Sequence, residues 1–205
     1  MNSAEKQVTK KGGLVWLAAS AALPTRHGDF TVHAFEASDG KEYAAVVKGD
    51  VANAKAVPVR VHSECLTGDV MGSYKCDCRD QLEAALTYIG KAPIGAVVYL
   101  RQEGRGIGLA NKIRAYALQD QGLDTVEANL ALGFEDDLRE YDIAAGIIKE
   151  LKIASVVLLS NNPKKWNGLT THGVEIVDRE PIIMPSNPHN EHYLNVKRKK
   201  SGHLL

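Results

Sequence analysis

The sequence predicts an α+β protein: an N-terminal antiparallel β-sheet or barrel-like part, then α/β segments, in a single compact domain. Two observations carry this expectation. The first third alternates in hydrophobicity and is rich in strand formers, in "DFTVHAFEA" (29–37), "EYAAVVKGD" (42–50) and "AVPVRVHSE" (56–64), with turn signals at Asp39-Gly40 and Gly49-Asp50. From about residue 80 the apolar period lengthens to that of a helix, and short apolar runs alternate with amphipathic ones.

The elements follow in order. Lys6, Lys10 and Lys11 precede "LVWLAASAAL" (14–23), which superficially resembles a secretory signal. Trp16 interrupts that run, and it also reads as an edge strand entering a sheet. "DQLEAALTYIG" (80–90) puts Leu82, Ala85, Leu86 and Ile89 on one helical face, with Asp80 as a cap and Gly90 as a stop. "GAVVYLRQ" (95–102) reads as a buried strand, "EGRGIG" (103–108) as a loop and "LANKIRAYALQD" (109–120) as a helix. Beyond a further loop, a helix is predicted over 136–151, a strand over 155–160, a short helix over 162–173 and a strand over 174–180. The expected organisation is an extension or edge strand (1–22), a catalytic domain (23–186) and a mobile polar tail (187–205).

Charge and cysteine usage narrow the class. Lys plus Arg is 25 and Asp plus Glu is 25, so the basic excess of a protein that wraps nucleic acid is missing. The basic tail "VKRKK" (196–200) lacks a four-ligand finger beside it. No apolar run reaches the length of a membrane span, so neither nucleic acid nor membrane is expected as a partner. All three cysteines fall within residues 65–78, crowding that favours a reducing, cytoplasmic compartment.

The thiols stand as Cys65-x10-Cys76-x-Cys78. A structural zinc site normally closes with four protein ligands, whereas a catalytic one uses three and leaves a position for water. Thiolates suit zinc, and no fourth thiol exists here. The rivals are a closed Cys3His site with His62, a disulfide within the trio, and three merely buried thiols. The second cluster is "RQEGRGIGLANKIRAYALQDQGLDTVEAN" (101–129), where Gly104, Gly106 and Gly108 precede a helix beside Arg105. Backbone N–H groups at a helix start form an anion site. The spacing matches neither the dinucleotide fingerprint nor the P-loop, and a glycine-eased turn would read the same way.

Taken together, "RVHSECLTGD" (60–69), "CDC" (76–78), "LRQEGRGIGLANKIRAYALQDQGLDTVEAN" (100–129), "LGF" (132–134), "DLRE" (137–140) and "NNPKK" (161–165) resemble GTP cyclohydrolase II. The resemblance runs from about Leu23 to the end, including "GHLL" (202–205). It implies a zinc enzyme, usually a homodimer and needing Mg2+, that opens the guanine ring of GTP. The products would be a diamino-ribosylamino-pyrimidinone phosphate, formate and pyrophosphate, in the first step of riboflavin biosynthesis. Two other outcomes stand beside it: an enzyme arrested before formate release, and a zinc-stabilised GTP-binding protein without turnover. Some relatives are fused to a dihydroxybutanone-phosphate synthase domain, for which this chain is too short.

By the same resemblance Cys65, Cys76 and Cys78 hold zinc, and zinc-bound water attacks C8 of guanine. GTP contacts carry over onto Arg60, Val61, His62, Ser63, Glu64, Gln81, Glu103, Gly104, Arg105, Thr125, Ser160 and Lys165. Arg60, Arg105 and Lys165 suit a triphosphate, and Gln81 and Glu103 suit a guanine edge. Asp137 is implied as proton acceptor and Arg139 as nucleophile toward the α-phosphorus. A guanidinium is protonated at ordinary pH, so stabilising transition-state charge is the easier role for Arg139. Tyr116, one turn after Lys112, stands near the reacting ring or in the core. The chain departs from the family at Arg79, where glycine is usual, at Ser160, where threonine is usual, and at Met71-Gly72.

Overall fold

In a computed structural model, residues 14–199 and Gly202 are described. The lysines before position 14 and the final "HLL" lie outside them. Seven strands form one sheet in the order β1-β2-β3-β5-β4-β6-β7. The strands are β1 (Val15–Thr25), β2 (Gly28–Ala37), β3 (Glu42–Lys48), β4 (Val57–Ser63), β5 (Gly95–Leu100), β6 (Val156–Leu159) and β7 (Ile176–Glu180). The helices are α1 (Cys78–Lys91), α2 (Leu109–Gln119), α3 (Thr125–Ala131), α4 (Asp142–Glu150), α5 (Pro163–Thr171) and α6 (Glu191–Lys199). The fold is α+β as expected. Of the two forms foreseen for its first part, the open sheet is the one formed, since β1 and β7 lie at its two ends.

β1, β2, β3 and β5 pair antiparallel, and β1 is the expected edge strand. β4 departs from the antiparallel expectation, pairing parallel with β5 on one side and β6 on the other. The reason lies in its burial: Val57, Val59, Arg60, Val61 and His62 are all buried, so both faces are covered as in a parallel interior strand. Side chains alternate across it. Val57, Val59 and Val61 join the larger core with Ile143, Ile147, Leu158 and Leu169. Arg60 and His62 therefore point to the opposite face, on the side where Ala85 and Ile89 of α1 pack with Val97 and Leu159.

Four local expectations need correction. α1 begins at Cys78 after Asp77, not at Asp80, and runs through Gly90 to Lys91. Gly90 is no stop; a Cβ there would run into the His27 backbone carbonyl, so glycine serves close packing. The loop expected between residues 120 and 136 contains α3, started by a reciprocal capping box of Asp124 and Glu127. The helix predicted over 136–151 begins only at Asp142. Arg139 N–H bonds the Asp137 carboxylate (3.2 Å) and Leu138 N–H bonds the Arg105 carbonyl (3.0 Å), and these local bonds replace helical ones. The segment expected as a mobile tail carries α6, in which Val196 and Lys197 are buried.

Candidate active site

The site lies beyond the C-terminal ends of the parallel strands, where crevices form in α/β sheets. Cys65 follows β4, Glu103 follows β5, and Ser160, Asn161 and Asn162 follow β6; all line one cavity. The three Sγ atoms lie within 4.8 Å of one another, and Cys65 and Cys76 are 3.7 Å apart. Gly68, in a π-helical turn over Leu66–Val70, makes room for them. A Cβ there would stand 2.8 Å from the Cys76 sulfur and 3.1 Å from that of Cys65. Crowding pulls the thiols apart in acidity. Hydrogen bonds from Cys76 and Cys78, with help from the Lys112 ammonium, hold Cys65 far below the usual thiol range. The Cys65 sulfur pushes Cys76 up to about 11 and raises Cys78 as well. One negative charge is thus easily placed and the next two are not, a competition that a divalent, thiophilic cation would remove. The donor set fits zinc with an open position. The closed alternative with His62 is not formed: no histidine joins the cluster among the described residues, and His62 Nε2 lies 3.1 Å from both Asp69 carboxylate oxygens.

Two buried carboxylates fix the start of this loop. Asp69 Oδ2 accepts from Cys65 N–H (3.0 Å) and from the Tyr99 hydroxyl (2.8 Å). Glu103 Oε2 accepts from Leu66 N–H (2.6 Å), while its Oε1 accepts from Gly104 N–H and the Lys112 ammonium, both at 2.8 Å. Lys112 also donates to Cys65 Sγ at 3.0 Å. The turn carrying Glu103 inward needs positive φ at Gly104 (63°) and Arg105 (60°), which is why a glycine stands there. Tyr116, half-buried in α2, places its hydroxyl 3.4 Å from Thr67 Oγ1, at the edge of the thiol cluster.

The opposite wall is cationic. Arg60, 4% exposed, donates to the Leu159 carbonyl (2.9 Å) and to Gln81, and its Nε has no partner. Lys165, 5% exposed, donates only to the Val61 carbonyl, at 2.7 Å. Among the described residues neither has a carboxylate partner. Burial depresses the Arg60 pKa to about 10. Burial, then the charges of Arg60, Arg139 and Lys197, takes Lys165 well below its ordinary value. Arg139 is different: Nε and Nη2 each donate to Asp137 at 2.7 Å, and after burial's opposing effect this fork raises its pKa. Arg105 pairs with Asp136. Ser63 Oγ and Thr125 Oγ1 are buried at the cavity without a hydrogen-bond partner.

Most residues singled out from the sequence therefore meet in one cavity. Two do not line it. The Val61 side chain belongs to the core, and only its carbonyl takes part. Asp137 sits behind Arg139 and grips it. Glu64 lines the cavity while pairing with Arg101 (3.5 Å), and Ser160 Oγ accepts from Asn162 N–H at 3.1 Å. Arg79, a departure from the family, turns outward to Glu83 at 3.3 Å. The sequence reading missed Lys75, Lys112, Asn129, Asn161, Tyr193 and Lys197 as lining residues. A lysine beside an apolar helical face was a visible signal for Lys112; nothing local marked Tyr193 or Lys197.

The GTP cyclohydrolase II family model matches residues 17–181. A GTP cyclohydrolase-2 of Picrophilus torridus is 55% identical over 187 residues, covering 91% of this chain and 97% of its own. That of Salmonella typhimurium is 55% identical over 188 residues, with 91% and 96% covered. The riboflavin biosynthesis protein RibBA of Chlamydia trachomatis is 52% identical over 194 residues, covering 94% of this chain and 46% of that longer one. The match spans the thiol cluster, the glycine-rich turn and the cationic wall alike, and this chain belongs to the GTP cyclohydrolase II family.

Proposed function

We propose that this enzyme hydrolyses GTP, opening the imidazole ring of guanine and releasing formate and pyrophosphate at the entry to riboflavin biosynthesis. One observation carries the reading: a three-thiol metal site and two buried cations without carboxylate partners, Arg60 and Lys165, share one cavity. An unpaired buried cation is costly, so such a wall is built for an anion. The relatives' names supply the guanine nucleotide.

Each residue then has a task. Cys65, Cys76 and Cys78 would hold zinc, which when bound supplies a water of lowered pKa. Asp69 and Glu103 keep the Cys65–Leu66 backbone in place, so the thiols converge without rearrangement. Arg60, Lys165 and Arg105 take the triphosphate. Ser63 and Thr125 offer hydroxyls whose hydrogen bonds are unused. Gln81 and Glu103 have acceptor capacity left for the guanine edge beyond their protein partners. Asp137 keeps the Arg139 guanidinium charged and aimed into the cavity. Arg139 therefore acts by stabilising charge developing at the α-phosphorus, not as a nucleophile. Tyr116 stands beside the thiols, where the reacting ring would lie.

The remaining expectations belong to the same reading. Among the described residues the cysteine trio is the one cluster of three or more ligating groups, so Mg2+ would arrive with the triphosphate. Among the described residues no helix is long and apolar enough to cross a membrane. Free thiols at Cys65, Cys76 and Cys78 suit the cytoplasm. A homodimer is expected, and sedimentation measures it. The test of the whole is GTP consumption by the zinc-loaded protein with Mg2+, before and after chelation and zinc restoration. Zinc-dependent consumption of GTP in preference to ATP is the expected result. Binding of GTP with no consumption would leave a binding protein and sink the proposal.

A further inference from the structure

The C-terminal segment lies beyond the family match, which ends at 181. Its helix α6 nevertheless reaches the cavity wall through Tyr193 and Lys197. Lys197 is 7% exposed; its ammonium stands 2.8 Å from Asp77 Oδ1 and 4.3 Å from the Tyr193 ring centroid. Asp77 is 2% exposed and lies between the ligands Cys76 and Cys78. It occupies the N-cap position of α1, yet its side chain makes no capping bond. Its Oδ1 accepts from Lys197 and its Oδ2 from Gln81 instead. Gln81 in turn accepts from Arg60. A continuous hydrogen-bonded path, Lys197–Asp77–Gln81–Arg60, buried except at the half-buried Gln81, thus ties α6 to the turn between two metal ligands and to the cationic wall.

Charge gives this path a direction. Arg60, Arg139, Lys165 and Lys197 line the same cavity, and among the described residues the carboxylates bonded to them are only Asp77 and Asp137. The wall therefore carries more positive charge than its own partners offset, and the ammonium of Lys197 has donors beyond the one given to Asp77. We propose that α6 is part of the substrate site, with Lys197 a further phosphate-binding residue held by Asp77 at the cavity wall. The inference rests on the GTP reading above and extends it to a segment that the family match leaves out. GTP would then bridge α6 to the rest of the site, so that nucleotide binding and docking of the C-terminal helix stabilise each other.

The test compares Lys197→Met, Lys197→Arg and, as a control, Lys199→Ala on the exposed side of the same helix. Lys197→Met should raise the KM for GTP, and weaken inhibition by pyrophosphate, roughly 10- to 100-fold, the loss of one charge-assisted bond. Lys197→Arg should recover part of that loss, and Lys199→Ala should match the unaltered enzyme. Hydrogen exchange on the unaltered enzyme gives a readout independent of variant folding. A non-hydrolysable GTP analogue with Mg2+ should slow exchange across 191–199. An unaltered enzyme that consumes GTP while Lys197→Met keeps its KM within twofold, or while α6 exchange ignores the analogue, would overturn the inference and leave the GTP reading intact. An unaltered enzyme that neither binds nor consumes GTP would overturn the reading on which the inference rests.

Discussion

Replacing Lys165 with methionine separates what the cationic wall costs the fold from what it does for the ligand. Methionine keeps most of the side-chain volume and removes the charge. In the free protein Lys165 is buried, bonded only to a backbone carbonyl, and surrounded by Arg60, Arg139 and Lys197. At a pH low enough to keep Lys165 protonated in the free protein, relief of that charge is favourable by roughly 1–4 kcal/mol, by analogy with apolar replacement of buried ionic groups. Loss of the bond to the Val61 carbonyl takes back about 1 kcal/mol. A net gain of about 2 kcal/mol raises Tm by roughly 4–8 °C for a chain of this size. Affinity moves the other way: losing a charged hydrogen bond to phosphate, about 2–3 kcal/mol, weakens GTP binding roughly 30- to 150-fold. The assays are thermal unfolding without nucleotide and calorimetric GTP titration. A Lys165→Met protein that melts lower than the original and binds GTP equally well would refute the reasoning. The same lysine fixes a pH dependence. Its folded pKa is held below the ordinary 10.5, so the folded protein binds fewer protons than the unfolded chain in the window between them. Stability of the nucleotide-free protein should therefore rise with pH across that window.

Four further outcomes follow from the same geometry. At a pH where GTP is fully ionised, binding should take up protons, because phosphate raises the Lys165 pKa; calorimetry in buffers of different ionisation enthalpy measures the uptake, and release would contradict it. Asp69→Asn leaves Cys65 N–H and the Tyr99 hydroxyl facing a weaker acceptor, and zinc affinity in chelator competition should fall roughly 10- to 100-fold. Gly68→Ala pushes a methyl against two ligand sulfurs, so bound zinc per protein should drop while far-ultraviolet circular dichroism stays unchanged. Arg139→Lys keeps one charge but loses the fork on Asp137; kcat should fall roughly 100-fold with zinc content unaltered, and an unchanged kcat would remove Arg139 from the chemistry.

The parts of the fold that were legible from sequence are those set by local pattern. Alternation in β2 and β3 and the helical period of α1, α2 and α5 matched the elements formed. The three thiols pointed to a candidate metal site because their number and crowding have few other uses, and the structure gathers them into one cluster. What escaped depends on partners far along the chain. β4 reads as alternating in isolation, and its parallel pairing is fixed by partners 37 positions away in β5 and 99 positions away in β6. Residues 136–141 have helical composition, but the Asp137 side chain and the Arg105 carbonyl capture the amides of Arg139 and Leu138. α3 carried a readable capping box at Asp124 and Glu127 that its glycine-bearing surroundings obscured. α6 is polar overall, and its place at the cavity depends on an ion pair spanning 120 positions, Lys197 to Asp77. Glu103 shows the same limit within the site. Its residue type suggested substrate contact, and only the structure reveals the three protein donors it already serves.

The central claim is that one cavity combines ring opening at the thiol-held metal with phosphate release at the cationic wall. A single incubation of the zinc-loaded protein with GTP and Mg2+, quantifying formate and pyrophosphate together, tests it most directly. Equal amounts of both are expected, with formate lost in a Cys78→Ser variant. Pyrophosphate without formate from the unaltered enzyme would contradict this, because the thiol cluster would then not carry ring opening through to formate.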